Sequence, residues 1–240
     1  MSVKTARKSR ASDELAEAFS KNYINDFKIK RPFYLNPMHK KFYNCILNEK
    51  TKISFVDGPA GSMKTYIAVY AGLELIRSEK FTKLVYIRSI AESAEKSLGS
   101  LPGEIDDKFS PYAIPLDEKV TEIAGAGVCS SLKQKGLIEA IPVNFVRGLT
   151  FNKTLVVVDE AQNLSRKELT TILTRFGRNS KYIVIGDTNQ ADVNKSGFKE
   201  IFNMFNTEQC KENDIFSYKF GNSEIARSKI LRFICSVLGT

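Results

Sequence analysis

The sequence predicts an α/β fold, a mostly parallel sheet flanked by helices. Three observations carry this. Short apolar runs, among them KLVYI at 83–87, TLVVV at 154–158 and KYIVI at 181–185, alternate with stretches of helical periodicity, as βαβ units require. The runs are apolar throughout instead of alternating, which marks strands buried on both faces. Two of them end in acids, at Asp159-Glu160 and Gly186-Asp187, and an earlier run at 53–56 leads straight into a Gly-rich turn at Gly58. In open α/β sheets the carboxyl edge of the strands is where ligands bind.

Residues 1–35 read as a basic N-terminal arm, with Lys4, Arg7, Lys8 and Arg10 clustered near its start and residues 1–11 expected to be disordered. Ser12 can cap a short helix there, with Asp13 and Glu14 in its first turn and Leu15, Ala18 and Phe19 on one face. Such an arm would dock on a neighbour or lie as a lid on the domain. Residues 36–240 are the expected domain. Asn36-Pro37 is a helix start, Asn as the cap and Pro at the first helical position, and Phe42, Ile46 and Leu47 form its apolar stripe. After the turn at 58–65 a helix runs to about Arg77, with Ile67, Ala68, Ala71 and Leu75 at helical spacing. Residues 92–98 read as a helical turn or two, stopped by Gly99 and Pro102, and 116–124 as a helix. The small and polar stretch 125–136 reads as a loop, and 137–141 and 143–146 as short strands around Pro142. Ser165 caps a helix over 166–175. A last strand spans 215–220, and Ser223 caps a final helix to about Val237.

The apolar content of 42% allows a substantial core. No apolar run approaches the ~18 residues of a membrane span, and no apolar stretch follows the N-terminal charges, so neither a membrane association nor a secretory signal is expected. Cys45, Cys129, Cys210 and Cys235 lie far apart without C-x-x-C spacing. They read as reduced thiols of a cytoplasmic protein, and with a single histidine they make no zinc site. The formal net charge of +9 favours a polyanionic partner, although a solvated basic surface accounts for it too.

The chemistry gathers at the strand ends. Gly58, Pro59, Ala60, Gly61, Ser62, Met63, Lys64 and Thr65 sit between a strand and a helix, the context of a phosphate-binding P-loop. Backbone N–H groups of such a loop form a nest for phosphate oxygens, and the helix points its positive end at the same place. Lys64 would reach the β- and γ-phosphates, and Thr65 would place its hydroxyl on Mg²⁺. The usual pattern is G-x-x-x-x-G-K-[ST], and Met63 stands where the last Gly is usual. If the helix begins there with negative φ, the side chain is tolerated; if the loop needs bare backbone, Met63 pushes on the phosphate. Asp159 would hold Mg²⁺ through water beside Thr65, and Glu160 would orient and deprotonate an attacking water. Gln190, in the GDTNQ turn, can hydrogen-bond the γ-phosphate or that water. Plainer alternatives are a Gly-rich turn with a chance Lys-Thr and acids that only cap the next helix; they explain the set less well than they explain each part.

GPAGSMKT, VYIRSIAESAEKSLGSLPGEIDDKFSPY, FVRGLTFNKTLVVVDEAQN and LTRFGRNSKYIVIGDTNQAD occur in that order. Together they resemble the PhoH-like family of P-loop ATPases over residues 39–232. The resemblance implies a single RecA-like core similar to the first half of superfamily 1 helicases. It implies ATP hydrolysis and a homo-oligomeric ring, a hexamer among the ring sizes, in which one subunit's arginine completes its neighbour's site. Arg227, in SEIARSKIL, matches the family's C-terminal arginine and would neutralise charge developing on the γ-phosphoryl group. Arg147 is a weaker candidate for a nucleotide or nucleic-acid contact. His39 stands where relatives often place a glutamine that reads adenine. In helicase-like cores the segment after the second strand grips the nucleic-acid backbone; here that is Arg88, Ser89 and Ser93, with Lys96 nearby.

The expectation is therefore an Mg²⁺-dependent ATPase acting on single-stranded nucleic acid, RNA ahead of DNA, as an oligomeric helicase-like motor. The alternative, motivated by Met63, is a nucleotide-binding assembly or regulatory module with little turnover. A small-molecule kinase fits the DEAQ and GDTNQ stretches less well. The nuclease domain that longer relatives carry is not expected here.

Overall fold

The computed structural model describes residues 27–30, 35–89, 105–190, 196–226 and 228–238. Among them the chain runs α1 (Pro37–Leu47), β1 (Ile53–Asp57), α2 (Lys64–Arg77), β2 (Lys83–Arg88), α3 (Ile105–Ala124), α4 (Ala126–Gln134), β3 (Ile138–Pro142), β4 (Thr154–Asp159), α5 (Arg166–Leu173), β5 (Lys181–Gly186), α6 (Phe198–Phe205), α7 (Glu208–Glu212), β6 (Ile215–Lys219) and α8 (Lys229–Leu238). The strands form one sheet in the order β3-β2-β4-β5-β1-β6, and every pairing is parallel. This is the P-loop NTPase arrangement of the RecA-like kind: β5 is inserted between the strand that feeds the phosphate loop and the strand that ends in the two acids. Register aligns the strand ends, since Asp57 pairs with Gly186 and Arg88 with Asp159.

The pleat splits the apolar runs between two cores. Val56, Tyr86, Val157 and Ile183 face the layer of α1, α2, α3 and α4. Phe55, Val85, Val156 and Val184 face α5 and α6. A strand covered on both sides has no polar face to show, which is why these segments read as continuous apolar runs. Asn36 caps α1 by accepting from the His39 N–H at 2.8 Å, with Pro37 following. A capping box starts α5: Ser165 Oγ accepts from the Glu168 N–H, and the Glu168 carboxylate accepts from the Ser165 N–H at 2.8 Å.

Several expectations are corrected. Residues 126–134 are helical, not a loop, because Cys129 and Leu132 bury one face of α4 while its small residues dilute the apolar signal. The stretch Val143–Phe145 is a 3-10 turn, not a strand, and it sends Val143 and Val146 into the second core. Ser223 does not cap the last helix. It lies in a 3-10 turn, Asn222–Glu224, donating its hydroxyl to the Glu224 carboxylate at 2.9 Å, and α8 begins later. Helix α3 starts well before residue 116 and runs through Pro111 and Pro115; Pro115 offers no N–H to the carbonyl of residue 111. Helices α6 and α7 had no counterpart in the sequence reading. The helical turn expected over 92–98 and the helix expected after Ser12 lie outside the described residues. Phe27 and Ile29, assigned to the arm, pack against the first core, and the Lys30 N–H donates to the Ile123 carbonyl at 3.0 Å. No helix among the described residues is long and apolar enough to cross a membrane.

Candidate nucleotide site

At the carboxyl edge a cleft of about 550 Å³ opens among the loop, β4 and β5, and Lys64, Thr65, Asp159, Glu160 and Gln190 all line it. The five residues come from three strand ends, so the sheet itself brings them together. Gly58 turns the chain off β1, its N–H donating to the Gly186 carbonyl at 3.2 Å. A Cβ there would lie 2.6 Å from that of Phe220, so the position needs glycine for close approach. Gly61 takes a positive φ of 78°, a conformation glycine adopts at little cost.

The Lys64 ammonium folds back into the loop, donating to the Gly58 and Pro59 carbonyls at 2.5 and 2.8 Å and approaching Ser62 Oγ at 3.4 Å. Burial lowers its pKa, opposed by Asp187, Asp159, Glu160 and Asp57. The Thr65 hydroxyl donates to the Asp159 carboxylate, 3.0 and 3.1 Å from its two oxygens. Asp159 is fixed further by the Tyr86 hydroxyl at 2.5 Å and by the Glu160 N–H at 3.0 Å. Burial raises the Glu160 pKa, and the neighbouring Asp159 charge adds to the rise. Its carboxylate accepts from Gln162 Nε2 at 2.5 Å and lies 3.7 Å from the Arg88 guanidinium. Gln162 Oε1 in turn accepts from the Asp187 N–H at 3.0 Å, tying β4 to β5. Gln190 is anchored through its backbone, its N–H donating to the Asp187 carbonyl at 3.2 Å.

These residues fit a phosphate–metal group. Mg²⁺ takes few protein oxygens and completes its shell with phosphate oxygens and water; Thr65 and Asp159 offer that partial set. Among the described residues no cluster of three or more His, Cys, Asp or Glu side chains could hold a metal alone. Asp187 Oδ2 is buried with no hydrogen-bond partner, an acceptor in want of a donor such as water.

A family profile described as "PhoH-like protein" matches residues 34–238. The chain belongs to the PhoH-like family. It is 36% identical to the PhoH-like protein of Bacillus subtilis over 147 residues, 61% of this chain and 46% of the relative. With the PhoH-like protein of Mycobacterium tuberculosis it shares 34% over 166 residues, 69% of this chain and 46% of the other. With protein PhoH of Escherichia coli it shares 29% over 187 residues, 76% and 51% of the two chains. The chain spans about half the length of these curated relatives. Membership and the parallel sheet flanked by helices give the chain an α/β fold of the P-loop NTPase kind.

The departures noted from the PhoH-like pattern can now be placed. Met63 has φ 62° and ψ 14°, so the helix does not begin there with negative φ. Position 63 takes the left-handed conformation that favours glycine. The Met63 side chain packs partly against the first core while also lining the cleft. His39 is neither a surface residue nor part of the cleft lining. It is 2% exposed, beneath the loop, and its Nε2 lies 3.1 Å from the Ser62 carbonyl, so that nitrogen donates. Burial lowers its pKa. Arg227 lies outside the described residues, although Ala226 before it lines the cleft and donates its N–H to the Gly61 carbonyl at 3.2 Å. Of the nucleic-acid candidates, Arg88 faces Glu160 in the cleft, Ser89 is half-buried, Arg147 is exposed, and Ser93 and Lys96 lie outside the described residues. The sequence reading missed Tyr86, Gln162 and Asp187. Tyr86 had a faint signal, a hydroxyl inside an otherwise apolar strand two residues from Arg88.

Proposed function

We propose that this protein is an Mg²⁺-dependent ATPase acting on single-stranded nucleic acid, RNA in preference to DNA, as a homo-oligomeric ring in the cytoplasm. The observation that carries the ATPase reading is the convergence of Lys64, Thr65, Asp159, Glu160 and Gln190 on one cleft. Lys64 would exchange the loop carbonyls for the β- and γ-phosphates. Thr65 and Asp159 would hold Mg²⁺, which supplies charge neutralisation on the phosphates. Glu160 would accept the proton of the attacking water, and its raised pKa makes it a stronger base than an ordinary glutamate. Gln190 would position that water or the γ-phosphate. Arg227 would act on the developing charge from within an assembly. The basic balance of the chain supports the polyanionic partner, and the free cysteines, among the described residues, suit a reducing compartment.

The test is phosphate release with and without single-stranded RNA and DNA. We expect ATP turnover in Mg²⁺, stimulation by RNA, and loss of turnover in Lys64→Ala. No stimulation by either strand removes the nucleic-acid half; an active Lys64→Ala removes the site. A second reading, a nucleotide-binding module with little turnover, is favoured by the left-handed Met63. It expects tight ATP binding, negligible phosphate release and a large rate increase in Met63→Gly. The ATPase reading expects Met63→Gly to stay within a few-fold of the parent rate.

A further inference from the structure

Helix α5 presents a cation-rich flank. An open groove of about 550 Å³ runs along it, lined by Arg166, Lys167, Thr170, Thr171, Thr174 and Arg175. Between residues 166 and 178 the cations are Arg166, Lys167, Arg175 and Arg178, and the only acid is Glu168. The Glu168 carboxylate is held at the helix cap, accepting from the Ser165 N–H and hydroxyl at 2.8 and 2.7 Å. Arg178 extends the strip beyond the helix to exposed Lys153, whose N–H donates to the Arg178 carbonyl at 2.8 Å. Arg166 pairs with Glu200 at 3.1 Å, while Lys153, Lys167, Arg175 and Arg178 make no ion pair among the described residues. Neighbouring like charges left unpaired repel one another, and a polyanion laid over them relieves that repulsion. The threonines of the groove are already committed as donors. The Thr171 hydroxyl donates to the Lys167 carbonyl at 2.8 Å, and the Thr174 hydroxyl donates to the Thr170 carbonyl at 2.9 Å. Each oxygen keeps lone-pair capacity, so toward a ligand in the groove these two positions accept.

We propose that α5 and the turn after it carry the backbone of single-stranded RNA, with Lys167, Arg175 and Arg178 taking phosphates and the Thr171 and Thr174 hydroxyls accepting from ribose 2′-OH groups. This rests on the nucleic-acid reading above and gives that reading a surface. Lysine and arginine are the usual holders of phosphate oxygens, and such contacts position a strand without reading its sequence. An acidic peptide would answer the cations equally well. The threonines favour a chain that alternates anionic acceptors with hydroxyl donors, as a ribose–phosphate backbone does, and deoxyribose lacks the hydroxyl that would reach them. The groove lining holds no aromatic side chain, so bases find no stacking platform there and strands of any sequence are expected to bind alike. The surface is also close to the candidate site along the chain. The 3-10 turn Ala161–Asn163 separates Glu160 from the start of α5, so a strand seated on the helix lies one short turn from the proposed base.

The experiment measures binding of a labelled single-stranded RNA, and of DNA of the same sequence, by fluorescence anisotropy across a salt series. The full chain is compared with Lys167→Ala/Arg178→Ala, with Thr171→Val/Thr174→Val, and with Lys40→Ala/Lys41→Ala, which removes equal charge from exposed positions on α1. We expect Lys167→Ala/Arg178→Ala to weaken RNA and DNA binding alike and to flatten the slope of log affinity against log salt by about 1.4, the value for two lost phosphate contacts on a single strand. A misfolded fraction lowers the amplitude of the signal and leaves that slope alone. The α1 variant is expected to keep the parent slope. Thr171→Val/Thr174→Val is expected to keep the DNA affinity, which shows it folded, and to lose the preference for RNA. A Lys167→Ala/Arg178→Ala slope equal to the parent's, or an equal loss in the α1 variant, overturns the surface and leaves nucleic-acid binding standing. Polyglutamate that displaces the RNA as well as unlabelled RNA does overturns the choice of partner. An RNA preference unchanged in the threonine variant overturns the ribose contacts. A parent chain that binds neither strand overturns the nucleic-acid reading and the surface together.

Discussion

Two residues of the site sit in the left-handed region without being glycine, Met63 at φ 62° and Glu160 at φ 51°. Each such residue costs on the order of 1 kcal/mol or more, and both border the cleft, where strain of this kind gathers. For Glu160 the turn after β4 lifts the carboxylate out of the strand and sets it between Gln162 and Arg88. Glu160→Gln keeps the shape and removes the proposed base. We expect ATP binding to be retained and turnover to fall about 100- to 10,000-fold. The pH profile follows from the sign of the shift. In the proposed mechanism the deprotonated form is the active one, and its pKa is raised above 4.5, so we expect the acid limb of the parent protein's turnover to lie above the usual glutamate value and Glu160→Gln to lack it. A parent limb at or below that value contradicts the assignment of Glu160 as base. Lys64, Thr65, Asp159, Glu160 and Gln190 were legible in the sequence because residue type and position after a strand together announce them. Tyr86, Gln162 and Asp187 were not, since their parts depend on which strands become neighbours. The burial of His39 depends on where α1 lands, which local sequence does not state.

Strands were the most legible elements, and the reason is the double layer of helices: a two-sided core leaves an unbroken apolar run in each strand. Helices were legible where a cap or a stripe marked them, as with Asn36-Pro37 and Ser165, and lost where small residues or prolines blurred the signal, as in α4 and the first half of α3. Lys181 was legible only as the polar start of β5. In the structure it is buried, and its ammonium closes α1 by donating to the Ile46 and Asn48 carbonyls at 2.5 and 2.6 Å, a C-terminal cap supplied from a distant strand. Burial brings its pKa down to about 8 from 10.5. Between those values the unfolded chain binds a proton that the folded chain has shed, so stability rises with pH across that window. We expect urea denaturation to show the parent gaining stability between about pH 8 and 9.5 relative to Lys181→Met. The difference is on the order of 1–3 kcal/mol at most. Equal pH dependence in the two proteins would mean that Lys181 is not desolvated as the structure has it.

At the scale of the whole molecule, the inserted strand β5 sets the layout of the candidate site. It separates the phosphate loop from the acids of β4 by one strand, wide enough for Lys64 to face the cleft from one side and Glu160 from the other, with Gln162 and Asp187 bridging β4 and β5. The β6 end adds a second link, from α1 through Asn36, Glu224 and Ala226 to the loop, so the phosphate loop is tied to the segment that leads into α8. Parallel topology was predictable from alternation alone; strand order was not, because nothing local tells β1 to pair with β5 and β6 in place of β2. A structure of the protein with a non-hydrolysable ATP analogue and Mg²⁺ tests the central claim most directly. The account predicts Lys64 Nζ withdrawn from the Gly58 and Pro59 carbonyls onto the β- and γ-phosphates, the metal beside Thr65 and Asp159, and a water between Glu160 and the γ-phosphate. A triphosphate bound elsewhere, with Lys64 still on the loop carbonyls, would contradict it.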